Sequence, residues 1–181
     1  MKKYYLLTAF GKDRPGIVAA VTRAVFEAGG NLEDASMTRL GGEFSMMLLT
    51  ALPGPAALAA LNKRLAPLRK PLALDVEVKA IQSSLARGAD SRGTRFLISV
   101  YGTDKPGIVY RVAQLLAERK ISITDLNTKA TTRGRSAVYV MFMEIQVPDG
   151  FDLDDLRSGL DILRTELDVE ITLQDIDAAS L

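Results

Sequence analysis

The chain has no cysteine, no histidine and no tryptophan. Without cysteine there are no disulfides, no thiolate nucleophiles and no thiolate metal sites. Without histidine there is no imidazole general base, no imidazole metal ligand and no Ser-His-Asp triad. The same absences lead us to expect no metal and no cofactor. Catalysis by Asp, Glu, Lys or Tyr is still open, but no cluster of such residues stands out along the sequence. An excess of charge of one sign is also lacking: 23 Lys and Arg face 22 Asp and Glu. A dedicated nucleic-acid binder usually carries a strong basic excess, so direct nucleic-acid binding is not expected. No apolar run approaches the roughly 18 residues of a membrane span. The opening "MKKYYLLTAF" has the two lysines of a secretory leader, but its apolar stretch is short and runs into "GKDRPG" with no small-residue cleavage site. These features together predict a cytoplasmic protein with no membrane partner.

What is present is a repeat. Residues 11–18 read "GKDRPGIV" and residues 102–109 read "GTDKPGIV". A shift of 91 residues superimposes them with six identities in eight positions, and the match extends to Val21 on Val112, Glu27 on Glu118, Asp34 on Asp125 and Ser45 on Ser136. Two copies make a pair of domains rather than a solenoid.

Each copy has the same succession of patterns. Strands are predicted at 3–10 and 94–101, followed by amphipathic helices at 15–29 and 106–120. Two further strands follow at 31–40 and 43–52, with "LGGE" at 40–43 as the hairpin turn, since paired glycines supply positive φ. The second copy places strands at 121–132 and 135–147 around "RGR" at 133–135. Helices at 55–68, ended near Pro67, and at 152–167 lead to alternating strands at 72–79 and 168–174. The order βαββαβ, twice, predicts an α+β chain of two ferredoxin-like domains, antiparallel sheets with helices on one face. The domains are expected at 1–80 and 94–181, joined by a Ser- and Gly-rich linker at 81–93. A unit of about 80 residues buries a modest core and leaves a sheet face to cover, so the units are expected to pack together, within or between chains.

The loop before the first helix carries the chemistry. Pro15 suits the first turn of a helix, because its missing N–H has no partner there. Gly16 lets a backbone or ligand come close, and a Val there is expected to close a pocket while sparing the fold. The amides of Gly16, Ile17 and Val18 then face outward at a positive helix end, which suits a carboxylate. Asp13 is either a helix cap or a contact for an ammonium group. Other signals read as structure. "GGEF" at 41–44 has only one acidic residue where a diguanylate cyclase hairpin has two. The acids of "DGFDLDDL" at 149–156 suit a helix start, and the cations of "NKRLAPLRK" at 62–70 suit a helix end. Met37, Met46, Met47, Met141 and Met143 are expected in sheet packing.

Strand, "G-x-D-[RK]-P-G-I-V", helix and then a strand opened by "G-N-L" or "I-S-I" resembles the ACT domain family over both halves. The resemblance implies small regulatory modules that bind amino acids at interfaces between paired domains. It further implies contacts from Gly11, Asp13, Gly16, Ile17 and Asn31 in the first half, and from Gly102, Asp104, Gly107, Ile108 and Ser122 in the second. Asn31 is the family's usual amide at that point; Ser122 departs from it with a shorter reach. Paired ACT domains alone resemble the glycine cleavage system transcriptional repressor family. That resemblance implies a homodimer that senses a small amino acid, glycine or serine above others, and acts through a protein partner such as a transcriptional activator. Two other readings stand beside it: a ligand-free ACT interaction module that binds an enzyme or regulator, and, last, an enzyme using Asp or Lys.

Overall fold

The computed structural model describes residues 2–83, 93–133 and 136–176. The expected linker at 81–93 lies largely outside the described residues, as does the tip of the turn at 133–135. The chain divides into two units, residues 1–89 and 90–181.

The first unit runs β1 (Lys3–Lys12), α1 (Ile17–Glu27), β2 (Asn31–Leu40), β3 (Glu43–Leu52), α2 (Pro55–Leu65), a 3₁₀ turn (Ala66–Leu68), α3 (Arg69–Leu72) and β4 (Leu74–Ile81). The second runs β5 (Thr94–Thr103), α4 (Ile108–Glu118), β6 (Ser122–Arg133), β7 (Ser136–Val147), α5 (Leu153–Leu167) and β8 (Val169–Asp175). Strand orders are β2-β3-β1-β4 and β6-β7-β5-β8, with every neighbouring pair antiparallel. This is the ferredoxin-like plan.

Period-two burial explains the sheets. Tyr5, Leu7 and Ala9 of β1 face Phe44, Met46 and Leu48 of β3 beneath the helices, where Val21 and Leu61 are fully buried. Ile98 and Val100 meet Met141, Met143, Val112 and Leu156 in the second core. Each fully buried Leu or Ile contributes about 1.5–3 kcal/mol. Met46, Met141 and Met143 thus pack as expected, whereas Met37 and Met47 are about half exposed. Edge strand β2 has no buried residue, and an unpaired ladder is a template for another strand.

Four local expectations are corrected. The first helices begin at Ile17 and Ile108, not at 15 and 106, because Gly16 and Gly107 are left-handed N-caps with φ of 93° and 96°. Pro15 therefore lies in the preceding turn rather than in the helix. Pro67 does not end the second helix of unit one: it sits at the start of a 3₁₀ turn, where a missing N–H costs little, and helical chain continues to Leu72. Ala73, at φ 49°, ends it, so the last strand starts at Leu74 rather than 72.

The fourth correction concerns the repeat. Phe10 pairs with Ser45, but the corresponding Tyr101 pairs with Val140, so Ser45 answers to Val140 and not to Ser136. The hairpin of unit two is longer, with strands of 12 residues against 10. The first hairpin turns through Gly41 and Gly42, both at positive φ, 60° and 86°, as "LGGE" predicts.

The acids at the start of α5 behave as helix-start residues. Asp152 is its N-cap and accepts the Asp154 N–H at 2.9 Å. No helix among the described residues is long and apolar enough to cross a membrane.

Candidate functional site

At the end of β1 the chain must leave the sheet and begin α1 within five residues. Gly16 makes this possible: a left-handed residue reverses the chain without a Cβ penalty. Ala20 N–H donates to Gly16 O at 2.9 Å, the first helical bond. The amides of Ile17, Val18 and Ala19 therefore have no intrahelical acceptor and sit at the positive helix end. Nothing lies within 4 Å of where a Cβ of Gly16 would be, so the approach is open. The same holds at Gly107, where Arg111 N–H donates to Gly107 O at 2.9 Å. Ile17 and Ile108 are only 1% and 2% exposed, so their side chains anchor the helix. The left-handed φ also means that Gly16→Val strains the turn, contrary to the expectation that Val spares the fold.

Asp13 is not a helix cap; α1 has no side-chain cap. Its N–H donates to Gly42 O at 3.0 Å, and its carboxylate accepts from Arg39 Nη1 at 2.9 Å. Arg39 stands at the far end of β2 and was not marked by the sequence motif. The second unit has Ala130 opposite Tyr139, where the first has Arg39 opposite Phe44. Among the described residues Asp104 has no arginine partner, and its charge acts on the Tyr139 phenol instead. Burial raises that phenol above its ordinary value of 10.0, a hydrogen bond from Thr128 opposes the rise, and the Asp104 charge adds to it.

A raised phenol contributes no pH dependence below about 10; above it, the unfolded chain loses its proton first and folded stability falls. Tyr139→Phe should remove this alkaline loss. The stability of the wild type minus that of the variant, read by urea unfolding, should be constant from about pH 7 to 9 and fall above about pH 10. A difference that holds unchanged to about pH 11 would contradict the assignment.

One further basic residue secures the loop in each unit. Arg14 Nη1 donates to Pro71 O at 3.2 Å. Lys105 Nζ donates to Leu167 O at 3.0 Å and to Asp168 at 3.1 Å. Both cations sit on the carbonyl end of the second helical segment, where the dipole is negative. The [RK] of the motif was the signal: one charge sign kept in both copies.

Gly11 and Gly102 have a packing role. A Cβ on Gly11 would lie 2.2 Å from Ala73 O, and one on Gly102 would lie 2.7 Å from Val169 Cγ1. Both glycines let the last strand of their unit close against the first.

Asn31 and Ser122 are not with the loops. Asn31 pairs with Ala51, which pairs with Tyr4; Arg39 pairs with Phe44, which pairs with Gly11. Seven residues of strand separate the two levels, about 23 Å. Within one unit, then, Asp13 and Gly16 lie at one end of the sheet and Asn31 at the other. Asn31 Nδ2 donates to Glu33 at 3.1 Å. In unit two, Ser122 pairs with Gln146, so a carboxamide stands on β7 where unit one has Ala51. Gln146 Nε2 is buried and has no acceptor among the described residues.

Comparisons with known proteins agree with the fold of both units. Models described as ACT domain match residues 3–79 and 96–153. The chain is 28% identical over 169 residues to the glycine cleavage system transcriptional repressor of Escherichia coli K12, covering 92% of this chain and 87% of that one. Its identity to a UPF0237 protein of Methanosarcina mazei is 30% over 86 residues, covering 47% of this chain and 89% of the relative. In fold it resembles an unknown protein from Galdieria sulphuraria, with a TM-score of 0.80 at 23% identity, covering 97% and 99% of the two chains.

Proposed function

The chain belongs to the ACT domain family, with two copies in tandem, and from that premise we propose that it is a non-enzymatic sensor of a small amino acid. The observation that carries the reading is the pair of open helix starts. In each unit, unpaired amides and a nearby carboxylate offer one partner for each end of a free amino acid: N–H groups for the carboxylate, Asp13 or Asp104 for the ammonium. Glycine and serine, with little side chain, fit this description most directly. Similarity to the glycine cleavage repressor supports a cytoplasmic regulator of amino-acid metabolism at the level of transcription, working through a protein partner such as an activator.

The amide on Asn31 joins a loop only from a second unit, which we assign to a second copy of the chain. If β2 of one chain pairs antiparallel with β2 of a second, the Asp13 end of each lies beside the Asn31 end of the other. The unburied edge of β2 supports this pairing. Ligand bound in the seam favours the paired arrangement only by its greater affinity for it, and the partner protein reads that difference. The alternative, a ligand-free interaction module, fits the second unit better, where Ser122 replaces the amide.

Calorimetric titration of the full chain with glycine, serine and the remaining standard amino acids tests the proposal. One small amino acid should give saturable heat, and Asp13→Ala should weaken it about tenfold or more, as a charge-assisted hydrogen bond is lost. Absence of heat with every amino acid would leave the interaction module as the reading.

A further inference from the structure

The duplication provides an internal control for the groove between the two helices of each unit. In unit two a leucine side chain narrows this groove and its charges are matched. Gly159 of α5 makes room for Leu115 of α4: a Cβ there would lie 2.7 Å from Leu115 Cδ1. Arg119 donates to both carboxylate oxygens of Asp155, at 2.8 and 3.1 Å, and Arg111 pairs with Glu166.

In unit one the same positions differ. The first-helix register puts Ala20 where unit two has Arg111 and Ala24 where it has Leu115. The shared buried residues Leu61 and Leu156, Leu65 and Leu160 align the second helices, and put Arg64 where unit two has Gly159. One ion pair crosses the groove, Arg64 to Glu27 at 3.1 Å. Beside it a space of about 420–510 Å³ stays open in each unit, but only that of unit one, 510 Å³, has Ala20, Ala24 and Leu68 as its floor and Arg23 and Lys63 on its rim. Arg23, Lys63 and the neighbouring Lys70 are exposed, and none of their side chains has an ion pair or hydrogen bond to another described residue. Phe26, 78% exposed, stands one turn from Arg23 on the outer rim. The helical segments of this unit carry Arg23, Lys63, Arg64, Arg69 and Lys70 against the single acid Glu27.

Unmatched cations around an apolar floor call for an occupant with carboxylates on its flanks and an apolar stripe between them. We propose that the α1–α2 groove of the first unit docks an acidic amphipathic helix of a protein partner, and that the second unit's groove does not. The amino-acid reading plays no part in this. A nucleic acid fits less well: phosphates match the cations, but an alanine and leucine floor gives them nothing, and the chain as a whole is only +1. Helix-in-groove recognition uses this combination of apolar stripe and charged rim.

The test uses the full chain and a fluorescein-labelled peptide of about 15 residues, enough for four turns. It carries Leu on one stripe and Glu on both flanks. A matched peptide has every Glu replaced by Lys. Fluorescence anisotropy should show saturable binding of the Glu peptide and binding about tenfold weaker or worse for the Lys peptide. Arg23→Glu with Lys63→Glu should weaken the Glu peptide about tenfold or more, since both side chains are exposed rim charges whose reversal leaves the fold intact by circular dichroism. Reversal of Arg157→Glu on the second unit should leave binding unchanged. Failure of the Glu peptide to bind, equal binding by the double variant or by the Lys peptide, or displacement of the peptide by a short DNA duplex would each overturn the proposal.

Discussion

Gly11→Ala should unfold the first unit far more easily than Gly102→Ala unfolds the second. The two glycines occupy the same motif position, and from the sequence alone the substitutions look equivalent. Their surroundings differ. An Ala Cβ at 11 would meet a backbone oxygen, Ala73 O, at 2.2 Å. Ala73 is itself held left-handed at φ 49° between α3 and β4, so its carbonyl cannot turn away without breaking the turn that starts the edge strand. At 102 the nearest obstacle is a methyl of Val169 at 2.7 Å, which can move by side-chain adjustment. We expect a cost of about 3 kcal/mol at position 11 and about 1 kcal/mol at 102. For a domain of this size that is a fall of roughly 12–24 °C in the melting midpoint of the first unit, against roughly 4–8 °C for the second. Calorimetric unfolding of both variants decides it. Equal falls, or a larger fall for Gly102→Ala, would show that β4 does not close on Gly11 as described.

The second large effect concerns how the site is divided. If each site takes Asp13 from one chain and Asn31 from its partner, then Asp13→Ala chains alone and Asn31→Ala chains alone should both lose amino-acid binding at unit one. Mixed and reassorted, they should recover it in part. Each mixed dimer has one site with both substitutions and one site with neither. Random reassortment makes half of the dimers mixed, so the mixture should bind about a quarter of the wild-type amount at wild-type affinity. Calorimetry on refolded mixtures measures this directly. No recovery at any mixing ratio would place both residues in one chain's site, which the separation of about 23 Å along the strands forbids, and would sink the composite site itself.

The division also shows which parts of the site were legible. The helix starts were: "DRPGIV" and "DKPGIV" contain a glycine where only a left-handed residue can turn the chain, and an isoleucine where the helix must anchor. Those are local properties, set by a few neighbouring residues. The partner of Asp13 was not legible, because Arg39 lies 26 residues away and reaches it only through the return of β2 beside β3. The placement of Gln146 beside Ser122 was equally hidden. It depends on strand register after a hairpin that is longer in the second copy, and the 91-residue shift that served for the first half of the repeat fails beyond it.

By itself the sequence determined the duplication, the βαββαβ order, the helix-starting loops and the two apolar cores, since periodicity and glycine placement act over short distances. Only the tertiary structure decided which motif residues share a place. A sheet order of β2-β3-β1-β4 sends the start of β2 to the end of the sheet opposite the loop, so residues that the motif links are held apart within each unit. The same packing showed Gly11 to be the point where a carbonyl crosses the strand, a role the motif alone does not reveal.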